Sequence, residues 1–338
     1  MTEAGSLTAS ASALATCAQI GFGTYRLGAN QARSAVAAAL KLGYRHIDTA
    51  YIYSNEKTEA EVGKALASAF AEGSLRRSEV FLTSKHWRKF HGYDASMLCL
   101  KRSLQRLQVD YLDCWMMHWP GPAWKTMSRR QDELETHGRW HYAADGHGEG
   151  EIAQLRSETW RAMEDALRQG MVRSIAVSNF TVNHLETLKR TAAVWPPSVN
   201  QVEMHPLYQQ RELREYCARE GIVLQAYASL GGQDGSKATW EALGGPLLQA
   251  PPVLSVASDH AADHVTPAQV LLRWALQKGV AIIPKSGRQT RMAENASLFN
   301  FVLTDAQMAA IDALAANAPG HSGRLCWRSD PLRLLDFD

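Results

Sequence analysis

Long apolar runs are missing from this 338-residue chain; none approaches the roughly 20 residues that a membrane-spanning helix needs. An excess of one charge is missing too. Lys and Arg number 36 against 34 Asp and Glu, for a formal net charge of +2. No basic stripe exists of the kind that meets nucleic acid or an acidic membrane surface; Arg76-Arg77 and Arg129-Arg130 are isolated pairs that read as solvated faces. Cysteine is scarce. The five residues Cys17, Cys99, Cys114, Cys217 and Cys326 show no CxxC spacing, which argues against a disulfide framework or a zinc site and fits a reducing compartment. The Ala/Ser-rich stretch from Ser6 to Cys17 lacks the basic and apolar regions of a signal peptide. A soluble, cytoplasmic chain is expected.

Nucleotide and nucleophile motifs are also absent. There is no GxxxxGK[ST] phosphate loop and no GxSxG elbow. Gly21-Phe22-Gly23 invites a dinucleotide-fingerprint reading, but Arg26 stands where the third glycine is needed. A strand ending in a glycine turn is the plainer reading.

What is present is alternation. Short apolar runs at Gln19 to Phe22, His46 to Asp48, Val80 to Ser84, Leu112 to Met117, Ser174 to Val177, Ser198 to Gln201, Val223 to Ala226 and Ala281 to Ile283 read as strands. Between them, Gln31 to Leu42, Glu56 to Phe70, Tyr93 to Leu107, Glu158 to Gln169, Val182 to Arg190, Glu212 to Glu220 and Pro267 to Gln277 carry helical period. Parallel strands joined by helical crossovers follow. With eight such units, the expected fold class is α/β, a (β/α)8 TIM barrel forming a single domain over 1–338. Two intervals are stretched, about 120–156 and 230–266, and are weak in period. They predict long loops on the catalytic face, with a further C-terminal loop at about 318–338.

In a parallel barrel the carboxyl ends of the strands converge on one mouth. Asp48, Lys85 and His118 stand at three predicted strand ends, and Tyr53 follows one short loop after Asp48. Singly, such residues have bland explanations: a strand-end Asp as a helix cap, an exposed lysine, a packed tyrosine with its hydroxyl tethered. Together they form a proton-transfer set. An ammonium beside a phenol is expected to lower its pKa from about 10, and a carboxylate keeps that ammonium charged and aimed. Tyr53 is then a general acid, and His118 orients a reacting oxygen. No serine or cysteine nucleophile or metal cage accompanies them, so a reduced carbonyl would need hydride from a cofactor.

At these residues the chain resembles the aldo-keto reductases. The stretch from Gly43 to Glu56 (GYRHIDTAYIYSNE) resembles their first signature, Leu112 to Pro120 (LDCWMMHWP) the second landmark, and Ile283-Pro284-Lys285-Ser286 with Arg291, Glu294 and Asn295 the third. The likeness runs in order from about Gly21 to about Asn317. It implies that Asp48, Tyr53, Lys85 and His118 are the catalytic tetrad and that NADPH is the cofactor. By the same resemblance, Ser178, Asn179 and Gln201 hold the nicotinamide carboxamide, and Tyr227 stacks on its ring. Lys285, Ser286 and Arg291 would receive the adenosine 2′-phosphate, and Glu294 and Asn295 would face the adenine. Asp48, Gly23, Thr24 and Leu230 are further implied cofactor contacts. Tyr25, Trp87 and Trp119 match substrate-pocket positions, and Gly323 to Trp327 resembles a C-terminal loop that closes over substrate.

Two departures stand out. Ala228-Ser229 follows the stacking tyrosine where serine often comes directly, and the loop after His118 is about a dozen residues longer than usual in the family. Other polar clusters carry less. His137, His141 and His147, with Asp145 and Glu149, are irregularly spaced in a glycine-containing loop, and His260 and His264, four apart, lack an HExxH frame. No metal site is expected. The reading is therefore an NADPH-dependent reductase of aldehydes or ketones, expected to be monomeric, with a small carbonyl compound and no nucleic acid or membrane as partner. The alternative is a nucleotide-sensing regulatory or structural protein that keeps the barrel without turnover.

Overall fold

A computed structural model describes residues 19–122, 149–232, 245–317 and 323–326. Eight strands, β1 (Phe22–Gly23), β2 (His46–Asp48), β3 (Phe81–His86), β4 (Cys114–Met117), β5 (Ile175–Ser178), β6 (Val199–Glu203), β7 (Val223–Tyr227) and β8 (Ala281–Ile282), lie in sequence order in one sheet. Every neighbouring pair is parallel. The sheet closes on itself, because Ile20 bridges Ile282 in parallel and Gly21 N–H donates to the Ile282 carbonyl at 2.8 Å. The seam is narrow at Gly23, where a Cβ would stand 2.7 Å from the Ile283 carbonyl oxygen, so only glycine fits.

Ten α-helices of eight or more residues accompany the strands among the described residues: α1 (Ala29–Lys41), α2 (Thr58–Ala71), α3 (Tyr93–Leu107), α4 (Glu149–Arg168), α5 (Val182–Lys189), α6 (Arg211–Glu220), α7 (Pro251–Asp259), α8 (Pro267–Gln277), α9 (Gln289–Ala296) and α10 (Asp305–Asp312). Local chemistry sets their ends. Thr266 and Gln269 form a capping box at the start of α8 with Pro267 in its first turn, and Thr304 with Gln307 does the same for α10. Each helix buries one stripe. In α1 the buried positions Ala32, Ala35, Val36, Ala39 and Leu40 recur every three to four residues.

Alternation along the strands splits the apolar residues into two cores. Ile47, Leu82, Trp115, Met117, Ile175, Val177, Leu224 and Ile282 face the helices in one large cluster. Cys114, Met116, Ala176 and Val199 form a separate small cluster with Phe81 and Val223, on the opposite strand face and therefore inside the barrel. Polar interior residues join them: His46 Nε2 lies 3.0 Å from Thr83 Oγ1, and Gln201 donates to Gln225 at 2.7 Å.

The stretched intervals differ from expectation. The helix expected from Glu158 begins at Glu149, which shortens the first loop. Its early turns carry a weak apolar period because buried positions there include Arg156 and Thr159 beside Ile152 and Trp160. The second interval, about 230–266, holds α7 and two 3-10 turns, Leu247–Gln249 and Ala261–Asp263. Pro251-Pro252 opens that helix, and Val253, Val256 and Ala257 bury its stripe. His260 and His264 do not share a helix face: His260 ends α7, and His264 follows the next turn at φ 54°. The cluster at His137, His141, His147 and Asp145 lies outside the described residues, as do Cys17 and most of 318–338. Cys99, Cys114, Cys217 and Cys326 are buried. Among the described residues no helix is long and apolar enough to cross a membrane, and no group of three or more candidate ligands is placed to hold a metal.

Buried imidazoles give the fold a defined pH response. Burial pushes the pKa of His46 and of His86 down to about 4. The unfolded chain takes up protons at these residues below about pH 6.5 and the folded chain only near 4, so stability is full above that window and is lost as pH falls through it. Denaturant unfolding followed against pH should show a loss of up to about 3 kcal/mol for each imidazole between those limits, and His46→Gln should flatten the slope. A curve that stays level from neutrality to pH 4 contradicts this.

Candidate active site

The mouth of the barrel is built from its floor. Asp48 ends β2 and Lys85 lies on β3, and both are buried. Lys85 Nζ donates to Asp48 Oδ1 at 2.5 Å and to the Thr49 carbonyl at 2.9 Å, and lies 3.3 Å from the Tyr53 hydroxyl. An ammonium has three donors, so these partners fix its direction. The other Asp48 oxygen accepts from Gln201 Nε2 at 2.8 Å. Burial pushes the Lys85 ammonium below its usual range while the Asp48 charge opposes that shift. Charge on one partner is what keeps charge on the other.

Tyr53 is placed by a bent turn, Tyr53–Glu56, in which Ser54 and Asn55 take left-handed φ values of 51° and 52°. Such backbone is costly for residues with a Cβ and needs outside support. Support is present: Ser54 Oγ donates to the Leu27 carbonyl at 2.9 Å, and the Glu56 carboxylate meets Lys89 and Arg106, each at 2.8 Å. The Tyr53 ring packs on Tyr25, centroids 5.1 Å apart. Its pKa corrects the sequence expectation. Burial, with the Asp48 charge acting in the same direction, pushes the hydroxyl well above the usual phenol value rather than below it. The proton is therefore held on the oxygen throughout the neutral range.

His118 follows β4 and presents its ring edge-on to Tyr53, with centroids 6.0 Å apart. Burial, reinforced by the charges of Lys85 and Arg88, holds its pKa well below the usual histidine value, so the imidazole is neutral. Its Nδ1 is buried with no hydrogen-bond partner. Trp87 packs against the ring at 5.5 Å and lines the cavity. Trp119 stacks on His118 at 6.3 Å but is only 2% exposed and is not among the cavity-lining residues. It backs the histidine instead.

One cavity of ≈ 740 Å³ runs over these groups. Tyr25, Asp48, Tyr53, Trp87 and His118 line it, as do Gly23, Asn179, Gln201, Tyr227 and Leu230. Its walls continue to Lys285, Ser286, Arg291, Glu294 and Asn295. Thr24 and Ser178 lie behind the wall: Thr24 Oγ1 donates to the Asp48 carbonyl at 2.9 Å, and Ser178 Oγ to the Gln201 carbonyl at 2.7 Å. Tyr227 donates to Asn179 Oδ1 at 2.7 Å, and Asn179 Nδ2 donates to the His118 carbonyl at 2.9 Å. The amide and the aromatic ring are thus tied to the histidine strand. Asn179 and Ala228 adopt left-handed φ of 62° and 53°, which marks both strand-end loops as bent to serve the cavity.

Several lining residues escaped the sequence reading. Arg26, Arg288 and Gln31 face the same cavity. The Arg26 charge, after burial, helps lower the Lys285 ammonium, so these two cations act on one another across the cavity wall. The available signal is a cation directly after Tyr25 in the turn leaving β1. Thr266, Pro267 and Ala268 also line the cavity, and they carry no local motif.

Known proteins share this architecture. A family model described as Aldo/keto reductase family matches residues 19–316. The chain is 38% identical over 295 residues to a glyoxal reductase of Bacillus subtilis (strain 168), spanning 87% of each chain. A crystal structure of an aldo/keto reductase from Brucella melitensis is 35% identical with a TM-score of 0.70, covering 88% of this chain and 93% of that one. An aldo-keto reductase of Bombyx mori, solved in complex with NADP, is 30% identical with a TM-score of 0.75 over 92% of each chain.

Proposed function

The chain belongs to the aldo/keto reductase family, and from that premise we propose that it reduces an aldehyde or ketone to the alcohol with NADPH, using Tyr53 as the general acid. The observation that carries this reading is the buried contact of Lys85 Nζ with both Asp48 Oδ1 and the Tyr53 hydroxyl, at 2.5 and 3.3 Å, on the wall of a cavity long enough to reach a cluster of cations.

The chemistry of the lining groups suits the cofactor. Lys285, Arg291, Arg26 and Arg288 line the cavity together with Ser286, and the Arg26 charge reaches Lys285; this is a donor set matched to phosphate oxygens and in excess of what a pyrophosphate alone would need. Glu294 and Asn295 stand beside it for the adenine. Near Tyr53 the cavity offers the amides of Asn179 and Gln201 and the ring of Tyr227, which suit a carboxamide and the face of a flat heterocycle. The Bombyx mori relative was solved with NADP, which supports the same assignment here.

When bound, NADPH supplies the hydride that goes to the carbonyl carbon. The chain's own residues manage the oxygen. Tyr53, held protonated by burial, gives its proton to the oxygen as negative charge develops there. The phenolate left behind faces the Lys85 ammonium, which Asp48 keeps charged. Lys85 thus offsets, on the phenolate, part of the cost that burial and the Asp48 charge impose on that anion. Neutral His118, edge-on to Tyr53 on the same cavity wall, orients the carbonyl oxygen by hydrogen bonding. Tyr25 and Trp87, which line the cavity beside Tyr53 and His118, flank the carbonyl compound.

Replacing Tyr53 with Phe should leave NADPH binding, read by fluorescence titration, within about twofold while lowering aldehyde turnover at least about 100-fold. Unchanged turnover refutes the acid assignment, and NADPH binding with no turnover of any aldehyde by the unaltered protein would favour a nucleotide sensor. Removing the Arg291 guanidinium, as in Arg291→Ala, should weaken NADPH about tenfold more than NADH. Equal weakening of the two cofactors contradicts the 2′-phosphate assignment.

A further inference from the structure

Glu203 is the last residue of β6 and is buried, yet it takes no part in the proton transfer proposed above. Its Oε1 accepts from the Leu325 backbone N–H at 2.7 Å, from the Cys326 N–H at 2.9 Å, and stands 3.0 Å from His205 Nε2. Its Oε2 lies 3.5 Å from Arg324 Nε. One carboxylate therefore fastens three successive residues that come more than a hundred positions later in the chain. Burial would raise its pKa, but His205 and the two backbone donors outweigh that and hold the carboxyl below the usual range.

The fastened segment has no sheet or helix of its own. Arg324, Leu325 and Cys326 are buried at 4%, 0% and 3% exposure, and buried backbone N–H groups in irregular chain need acceptors from elsewhere. Glu203 provides them. Two of the fastened residues also reach the site. Cys326 lines the same cavity as Tyr53, Trp87 and Tyr227. Arg324 hydrogen-bonds Tyr227, the ring whose hydroxyl is tied to Asn179.

We propose that Glu203 is a positioning residue for the reductase reaction: by gripping the Leu325 and Cys326 amides and pairing with Arg324, it seats the strap 324–326 as a wall of the substrate cavity and braces Tyr227. The kinetic part rests on the reductase reading, whereas the grip itself does not. The strap contributes to where the substrate sits and not to the proton transfer, so its loosening acts on substrate binding.

The test uses the full chain with Glu203→Gln, Arg324→Gln and the double variant. Hydrogen exchange reads the grip without turnover. In Glu203→Gln the Leu325 and Cys326 amides should exchange at least about tenfold faster, because charge-assisted bonds are weakened, while the Met116 amide in β4 keeps its protection. Steady-state kinetics with a small aldehyde should show KM raised about fivefold or more and kcat within about twofold. Arg324→Gln should reproduce the KM effect, and the double variant should be no worse than about twofold beyond the stronger single one, since both act through one strap. Unchanged exchange at residues 325 and 326, acceleration spread equally to Met116, a fall in kcat without a change in KM, or KM effects that multiply in the double variant would each overturn the proposal. If Glu203→Gln does not fold, Arg324→Gln carries the same comparison. A protein whose strap amides respond as expected but which turns over no aldehyde sinks the reductase reading and leaves the grip standing.

Discussion

Two opposite charges shut away from water, on Asp48 and Lys85, set the terms for everything at the barrel mouth. Removing such ions from solvent costs several kcal/mol each even after relaxation, and the pair persists only because every polar direction around it is answered. Asp48 is met by Lys85 and Gln201, and Lys85 by Asp48, the Thr49 carbonyl and the Tyr53 hydroxyl. The contact with Tyr53 turns a structural pair into a chemical one, because it sets a positive charge beside a hydroxyl group that lines the cavity.

The electrostatics also separate the roles of the two polar rings. Tyr53 keeps its proton because burial and the Asp48 charge disfavour its anion, and His118 stays neutral because burial and the charges of Lys85 and Arg88 disfavour its cation. A protonated phenol beside a neutral imidazole is an arrangement for handing over one proton and orienting its acceptor. An ammonium by itself acidifies a neighbouring phenol, and desolvation acts the other way. In the folded chain desolvation dominates, and the ammonium matters for the anion that forms afterwards.

Much of this was legible beforehand because it depends on short-range pattern. The eight strands could be found from apolar runs, and Asp48, Lys85 and His118 stand at strand ends that the barrel topology alone brings together. Reading failed where tertiary contact replaces local signal. Helix α4 opens with buried Arg156 and Thr159, which disguise its apolar stripe. Helix α7 hides behind two prolines that look like a loop. Trp119 reads as pocket-lining from its place beside His118, yet successive residues leave a strand on opposite faces, and it packs behind the ring. Arg26 and Glu203 were invisible as site residues because nothing near them in the chain says that β8 or the strap 324–326 will lie alongside.

The most direct test of the Lys85–Tyr53 interaction is a double-mutant cycle on the turnover of a small aldehyde, comparing Lys85→Met, Tyr53→Phe and the combined variant with NADPH binding measured for each. If Lys85 acts by stabilising the phenolate of Tyr53, its removal costs about 100-fold or more in the unaltered background and almost nothing once the hydroxyl is gone. Losses that multiply fully would mean that the ammonium and the phenol serve the reaction independently, contradicting the account.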